Sequence, residues 1–215
     1  IFSRSEKIAN YLLKKYEIDA LVIACNTATS VAIKHLREVF PSLIIIGTEP
    51  GIKPAINNTK TRNIGILATA STLKGEKYQL LANELTTKSE VKLHEQACIG
   101  LVEQIENGEI NSLKTYSMLE TWLKPMLHNK VDTIVLGCTH YPLVKKTILD
   151  IVGEDVLLID TGDAIAKRVV TLSQDLQNNN KDELNIEILY TGKINSDMVK
   201  IILGKNKFEM RKCEL

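Results

Sequence analysis

A near-repeat constrains this chain more than any other feature. Val131 to Leu143 reads Val-Asp-Thr-Ile-Val-Leu-Gly-Cys-Thr-His-Tyr-Pro-Leu, and Ile18 to Thr27 reads Ile-Asp-Ala-Leu-Val-Ile-Ala-Cys-Asn-Thr. Asp19, Val22 and Cys25 match Asp132, Val135 and Cys138 at one constant offset. In each copy a strand-like run ends in a small residue, and a thiol followed by polar side chains comes next. Reactive groups at that place matter, because open α/β sheets collect ligands outside the carboxyl ends of their strands. Leu43 to Ile46 is echoed by Val156 to Ile159 at the same offset, and Asn63-Ile64-Gly65-Ile66-Leu67-Ala68-Thr69 is echoed by Asn185-Ile186-Glu187-Ile188-Leu189-Tyr190-Thr191. Three echoes in one order predict an α/β protein of two similar lobes, with mostly parallel sheets flanked by helices and related by a pseudo-twofold. The expected division is a discontinuous first lobe, residues 1–47 and 159–215, and a second lobe, residues 48–158.

Periodicity fills in the elements between the echoes. Ile8, Leu12, Leu13 and Tyr16 predict a first amphipathic helix over 3–16, and residues 29–40 a second, closed by Pro41. Strands are expected at 20–24, 43–46, 63–68, 91–96 and 156–159, and helices at 73–85, 101–106, 113–127, 144–151 and 163–176. Pro125 is expected to end or kink its helix. The asparagine-rich stretch 177–182 reads as a polar surface loop.

Charge and cysteine usage narrow the function classes. With 27 basic and 26 acidic residues among 215, nothing favours a broad attraction to nucleic acid or an anionic membrane. A small-molecule partner fits better. The sequence contains neither a long apolar run nor a signal-peptide pattern at its start, so a cytoplasmic location is expected. Four cysteines without a CxxC pair suit neither a disulfide scaffold nor a zinc ribbon. Zinc held by Cys25, Cys138 and His140 would lack a fourth ligand at a recognisable spacing, so no metal is expected.

Cys25 and Cys138 each follow a strand and precede residues able to cap a helix, where the local field favours a thiolate. As buried apolar side chains they would do nothing chemical, but the matched context favours a pair of acid/base groups. Asn26-Thr27, Thr139-His140 and the hydroxyl-rich Thr69 to Thr72 supply polar groups that could hold a carboxylate. His140, two residues from a candidate thiolate, suits proton relay. Glu103 and Glu106 have the spacing of a solvated helix face. Two opposed thiols suit inversion at the α-carbon of an amino acid: one removes the proton and the other delivers one to the opposite face. No cofactor is then required.

Ala24-Cys25-Asn26-Thr27-Ala28 and Gly137-Cys138-Thr139-His140-Tyr141-Pro142 resemble the paired signatures of the cofactor-independent aspartate/glutamate racemase family. The resemblance extends through Gly47-Thr48-Glu49-Pro50-Gly51, Ala68-Thr69-Ala70-Ser71-Thr72 and Gly100-Leu101-Val102-Glu103, nearly the whole chain. It implies an isomerase with its site between two lobes, racemising L-glutamate to D-glutamate for peptidoglycan without a cofactor. Cys25 and Cys138 would be the acid/base pair, Asn26, Thr27, Thr69, Thr72, Thr139 and His140 would contact substrate, and His140 and Glu103 would support the proton transfers. A homodimer is also implied. Family members open with a strand, an Asp-Ser-Gly loop and a Pro-Tyr-Gly turn that do not occur here, so the chain as written is expected to turn over poorly. Aspartate racemisation is the nearest alternative. A redox protein using the two thiols and a catalytically dead amino-acid-binding module are the alternatives from other classes.

Overall fold

The computed structural model describes residues 1–176 and 184–215. The expected loop at 177–182 lies outside the described residues. In chain order the elements are α1 (Phe2–Lys15), β1 (Ala20–Ile23), α2 (Asn26–Val39), β2 (Ile44–Gly47), α3 (Ile52–Asn58), β3 (Asn63–Ala68), α4 (Ala70–Leu73), α5 (Glu76–Ser89), β4 (Lys92–Ala97), α6 (Leu101–Glu106) and α7 (Leu113–His128). Next come β5 (Thr133–Gly137), a 3₁₀ turn (Tyr141–Val144), α8 (Lys145–Val152), β6 (Leu157–Ile159), α9 (Gly162–Leu172), a second 3₁₀ turn (Gln174–Leu176), β7 (Ile186–Tyr190), α10 (Ser196–Leu203) and β8 (Phe208–Lys212).

All strand pairs among the described residues are parallel: a four-stranded sheet in the order β4-β3-β5-β6 and two-stranded sheets β1-β2 and β7-β8. The β3 and β5 strands read as continuous apolar runs because helices cover both faces of their sheet. Alternation sorts their side chains. Ile64, Ile66, Ala68 and Val135 meet Ile52 and Ala55 of α3 and Tyr78 and Ala82 of α5. Leu67, Ile134 and Leu136 face Leu119, Leu123 and Met126 of α7 and Ile148 of α8. Gly65 falls on the second face, where a Cβ would come within 2.7 Å of Met126 Sδ, so α7 sits close only because that side chain is absent. At the opposite end of β5 from the thiol, Asp132 accepts hydrogen bonds from Thr59 Oγ1 (2.6 Å), the Lys60 N–H (2.7 Å) and the Thr61 N–H (2.8 Å). That echoed aspartate is therefore a fastening of the strand's start.

The β1-β2 sheet has a smaller core of Ala32, Ile33 and Leu36 from α2, Ala9 from α1 and Ile45. The echo with β5-β6 extends to register: Ala20 pairs with Ile44 and Thr133 with Leu157, so one offset relates both partners. The third echo carries over in part. Both β3 and β7 pair in parallel with a strand that comes after them, but β3 also pairs with β5, whereas β7 pairs only with β8 among the described residues.

Several local expectations shift. The α2 helix begins at Asn26, three residues earlier than expected, because Cys25 caps it. The helix expected at 73–85 is two helices, α4 capped by Thr69 and α5 starting after Gly75. Pro125 does not end α7, which runs on to His128. So near the end, a missing N–H frees only the Thr121 carbonyl, and Asn129 closes the helix with two bonds to the Pro125 carbonyl, from its N–H at 3.1 Å and its Nδ2 at 2.7 Å. The helix expected at 144–151 is entered through a 3₁₀ turn containing Pro142. The α3 and α10 helices and β8 had no expectation. Each is short, and sequence periodicity discriminates poorly over so few residues. Among the described residues, no helix is long and apolar enough to cross a membrane.

Candidate active site

The two thiols stand at the carboxyl ends of corresponding strands, but their surroundings differ. Cys25 is the N-cap of α2, with its Sγ accepting from the Ala28 N–H at 3.5 Å, and the residue is exposed. Cys138 is half-buried after β5. Gly137 lies against β3, where a Cβ would come within 2.8 Å of the Leu67 carbonyl oxygen, and the chain bends at Cys138. The turn back is fixed by the Tyr141 N–H donating to the Cys138 carbonyl at 3.1 Å. Cys138 is thus followed by a 3₁₀ turn and caps no long helix.

Instead it meets an imidazole. Cys138 Sγ lies 3.7 Å from His140 Nδ1, and His140 Nε2 donates to Glu106 Oε1 at 2.6 Å. The bond to Cys138 and, after it, the bond to the Glu106 carboxylate raise the His140 pKa to about 9 against the opposing effect of burial, so the ring is a cation at neutral pH. The carboxylate that touches His140 is Glu106 at the end of α6, and among the described residues no hydrogen bond joins Glu103 to the ring. The sequence spacing suggests a solvated face for both acids. Glu106 escapes that reading because its partner is distant in sequence.

The polar residues fall into two groups. Thr27, Thr69 and Thr72 form a triangle of hydroxyls, with Oγ1 separations of 3.0 Å (27 to 69), 3.1 Å (27 to 72) and 3.0 Å (69 to 72). It joins the start of α2 to the start of α4 and so ties the end of β1 to the end of β3. Asn26 crosses in another direction, its Nδ2 donating to the Gly137 carbonyl at 2.6 Å. A carbonyl only accepts, so this contact fixes the amide's orientation. Asn26 Oδ1 is then a buried acceptor with no hydrogen-bond partner among the described residues, on a residue only 7% exposed. Such an atom costs about 1–3 kcal/mol unless a donor reaches it.

Asn26, Cys138 and Thr139 line one cavity of about 310 Å³, which Ala24, Thr48, Asp160 and Thr161 also border. Cys25 is flanked by two of these residues, Ala24 and Asn26. The cavity walls repeat the echo: the offset that relates the thiols carries Asn26 onto Thr139 and Thr48 onto Thr161. Asp160 and Thr161 went unremarked in the sequence, although applying that offset to Gly47-Thr48 would have found them. Elsewhere, burial pushes the Cys98 thiol up to about 12, which keeps it protonated and inert. Among the described residues no cluster of three or more His, Cys, Asp and Glu side chains could hold a metal ion.

Similarity to known proteins agrees with this geometry. Residues 5–169 match the family model described as Asp/Glu/Hydantoin racemase. The glutamate racemase of Aliarcobacter butzleri (strain RM4018) is 63% identical over 215 residues, covering 100% of this chain and 82% of that protein. The glutamate racemase of Sulfurovum sp. (strain NBC37-1) is 58% identical over 203 residues, 94% of this chain and 77% of that protein. A glutamate racemase isoform from Bacillus anthracis superposes with a TM-score of 0.82 at 29% identity, covering 99% of this chain and 80% of that one. The Escherichia coli glutamate racemase, in complex with L-glutamate and the activator UDP-MurNAc-ala, gives a TM-score of 0.81 at 29% identity over 98% of this chain and 79% of that one. The chain belongs to the Asp/Glu/hydantoin racemase family.

Proposed function

We propose that this chain racemises glutamate, interconverting the L and D forms by proton transfer between Cys25 and Cys138. The observation that carries the reading is the Cys138–His140–Glu106 chain at 3.7 and 2.6 Å, beside a cavity that the neighbours of Cys25 also line. A lone structural thiol has no use for an imidazolium backed by a carboxylate. The relatives supply the substrate: two are glutamate racemases that share more than half of their aligned residues with this chain.

In the reaction, one thiolate takes the α-proton and becomes a thiol, leaving two electrons on the α-carbon, delocalised into the carboxylate. The thiol on the opposite side then gives its proton to the other face and becomes a thiolate. Atoms and charge balance, and the reverse reaction exchanges the two roles. A protonated His140 stabilises negative charge on the Cys138 sulfur, and Glu106 keeps the ring oriented. The Thr27, Thr69 and Thr72 hydroxyls can turn their protons toward a substrate carboxylate, whose charge grows as the carbanion forms. Asn26 Oδ1, an acceptor needing a donor, suits the substrate ammonium. D-glutamate made this way would serve peptidoglycan synthesis in the cytoplasm.

Circular dichroism of L-glutamate incubated with the chain tests the substrate. Decay of the signal toward zero is expected, slow for the chain as written, and slower still with L-aspartate. A signal that holds for glutamate and decays for aspartate would assign the other substrate.

A further inference from the structure

One side chain from the C-terminal part of the chain reaches the Cys138 relay from behind. Glu106 is the last residue of α6, where helix carbonyls lack intrahelical partners. Its main-chain carbonyl accepts from Asn195 Nδ2 at 3.2 Å. The other end of the same amide caps α10, with Asn195 Oδ1 accepting from the Asp197 N–H at 3.1 Å and the Met198 N–H at 3.3 Å. Two features hold α10 in place for this contact. Met198, 6% exposed, is part of the core of the four-stranded sheet, together with Ile105 of α6. Gly108, at φ +82°, turns the chain after α6, and a Cβ there would come within 3.4 Å of Asn195 Nδ2. Together α6, the 3₁₀ turn Tyr141–Val144 and α10 line an open cavity of about 140 Å³ onto which Glu106, His140 and Asn195 all border.

We propose that Asn195 is a positioning residue for the proton chemistry at Cys138, holding the end of α6 so that the Glu106 carboxylate stays on His140. This rests on the acid/base role proposed for Cys138. The competing role is helix capping alone, and the two roles use different atoms. Capping needs only the acceptor Oδ1, whereas the hold on Glu106 needs the donor Nδ2. The titratable groups that meet the His140 ring are Cys138 and Glu106, and on α10 Asp197 and Lys200 pair with each other at 2.9 Å. Serine caps helices about as well as asparagine, but it is too short to reach the Glu106 carbonyl. Asn195→Ser therefore keeps one role and deletes the other, and Asn195→Thr serves as a second variant of the same design.

The test is an NMR titration of the His140 ring in the full chain, comparing the parent with Asn195→Ser, Asn195→Thr and Glu106→Gln. The midpoint should fall in both Asn195 variants by roughly one unit, a tenfold loss of proton affinity, and fall further in Glu106→Gln. The alkaline limb of the racemisation profile should move with it. A midpoint unchanged in the Asn195 variants but lowered in Glu106→Gln would make Asn195 a cap only and overturn the proposal. An unchanged midpoint in Glu106→Gln would overturn it as well, since no carboxylate would then need positioning. Failure of the racemase reading would look different: Cys138→Ser would leave inversion intact, whatever the titration shows.

Discussion

The two halves of the site start from the same design and diverge in how they hold their thiols. Cys25 stands exposed at the amino end of a helix of 14 residues, with a backbone N–H as its hydrogen-bond partner. Cys138 is half-buried, followed by a turn, and backed by an imidazole and a carboxylate. The frames differ similarly. All five residues of β5 are buried between two core clusters, while β1 has none buried. A duplicated strand and cysteine therefore do not fix the protonation machinery. The residues after each cysteine do: Asn-Thr-Ala at Cys25 allows the helix to start at once, whereas Thr-His-Tyr-Pro after Cys138 forces a 3₁₀ turn that brings His140 back toward the sulfur.

If this difference is functional, the largest effect should come from the relay. His140→Asn should lower turnover by roughly a hundredfold, in the range of general acid/base contributions, and the circular dichroism assay reads it directly. Loss of less than about twofold would reduce the Cys138 half to the simplicity of the Cys25 half. A smaller effect is expected where the halves meet. Thr27→Val breaks two sides of the hydroxyl triangle, and KM for glutamate should rise by about tenfold, the value of a hydrogen bond to a charged group. Unchanged KM and kcat together would mean that the triangle does not hold the substrate carboxylate.

The smallest effect is on stability and separates the halves by pH. The folded chain raises the His140 pKa from its ordinary 6.5 to about 9, so the native state binds this proton more tightly than the unfolded chain. The resulting stabilisation is complete below about pH 6.5 and is lost as pH rises through about 9. Thermal melts of the parent and His140→Asn should therefore differ most near neutral or acid pH and converge at alkaline pH. A difference that grows with pH would contradict the charge state assigned to the ring.

The β strands other than β8, both thiols and most of the polar cluster were legible because strand ends and repeated motifs are local signals. The hydroxyl triangle was legible as components only: Thr27, Thr69 and Thr72 could be named, but their contact depends on β1 and β3 ending side by side. Glu106 looked like surface because its partner lies 34 residues away. Asn195 gave no signal at all, since its role consists of a contact across 89 residues. Pro125 does not end its helix because a proline near a helix end removes little, and α3, α10 and β8 were too short for their period to show.

The most direct test of a two-thiol reaction is exchange of the α-proton in deuterated water, followed by NMR for each enantiomer of glutamate with Cys25→Ser and Cys138→Ser. Both variants should lose inversion, and each should still exchange the α-proton of one enantiomer only, a different one in each variant. Inversion that survives in either variant, or exchange of the same enantiomer by both, would contradict opposed thiols as the acid/base pair.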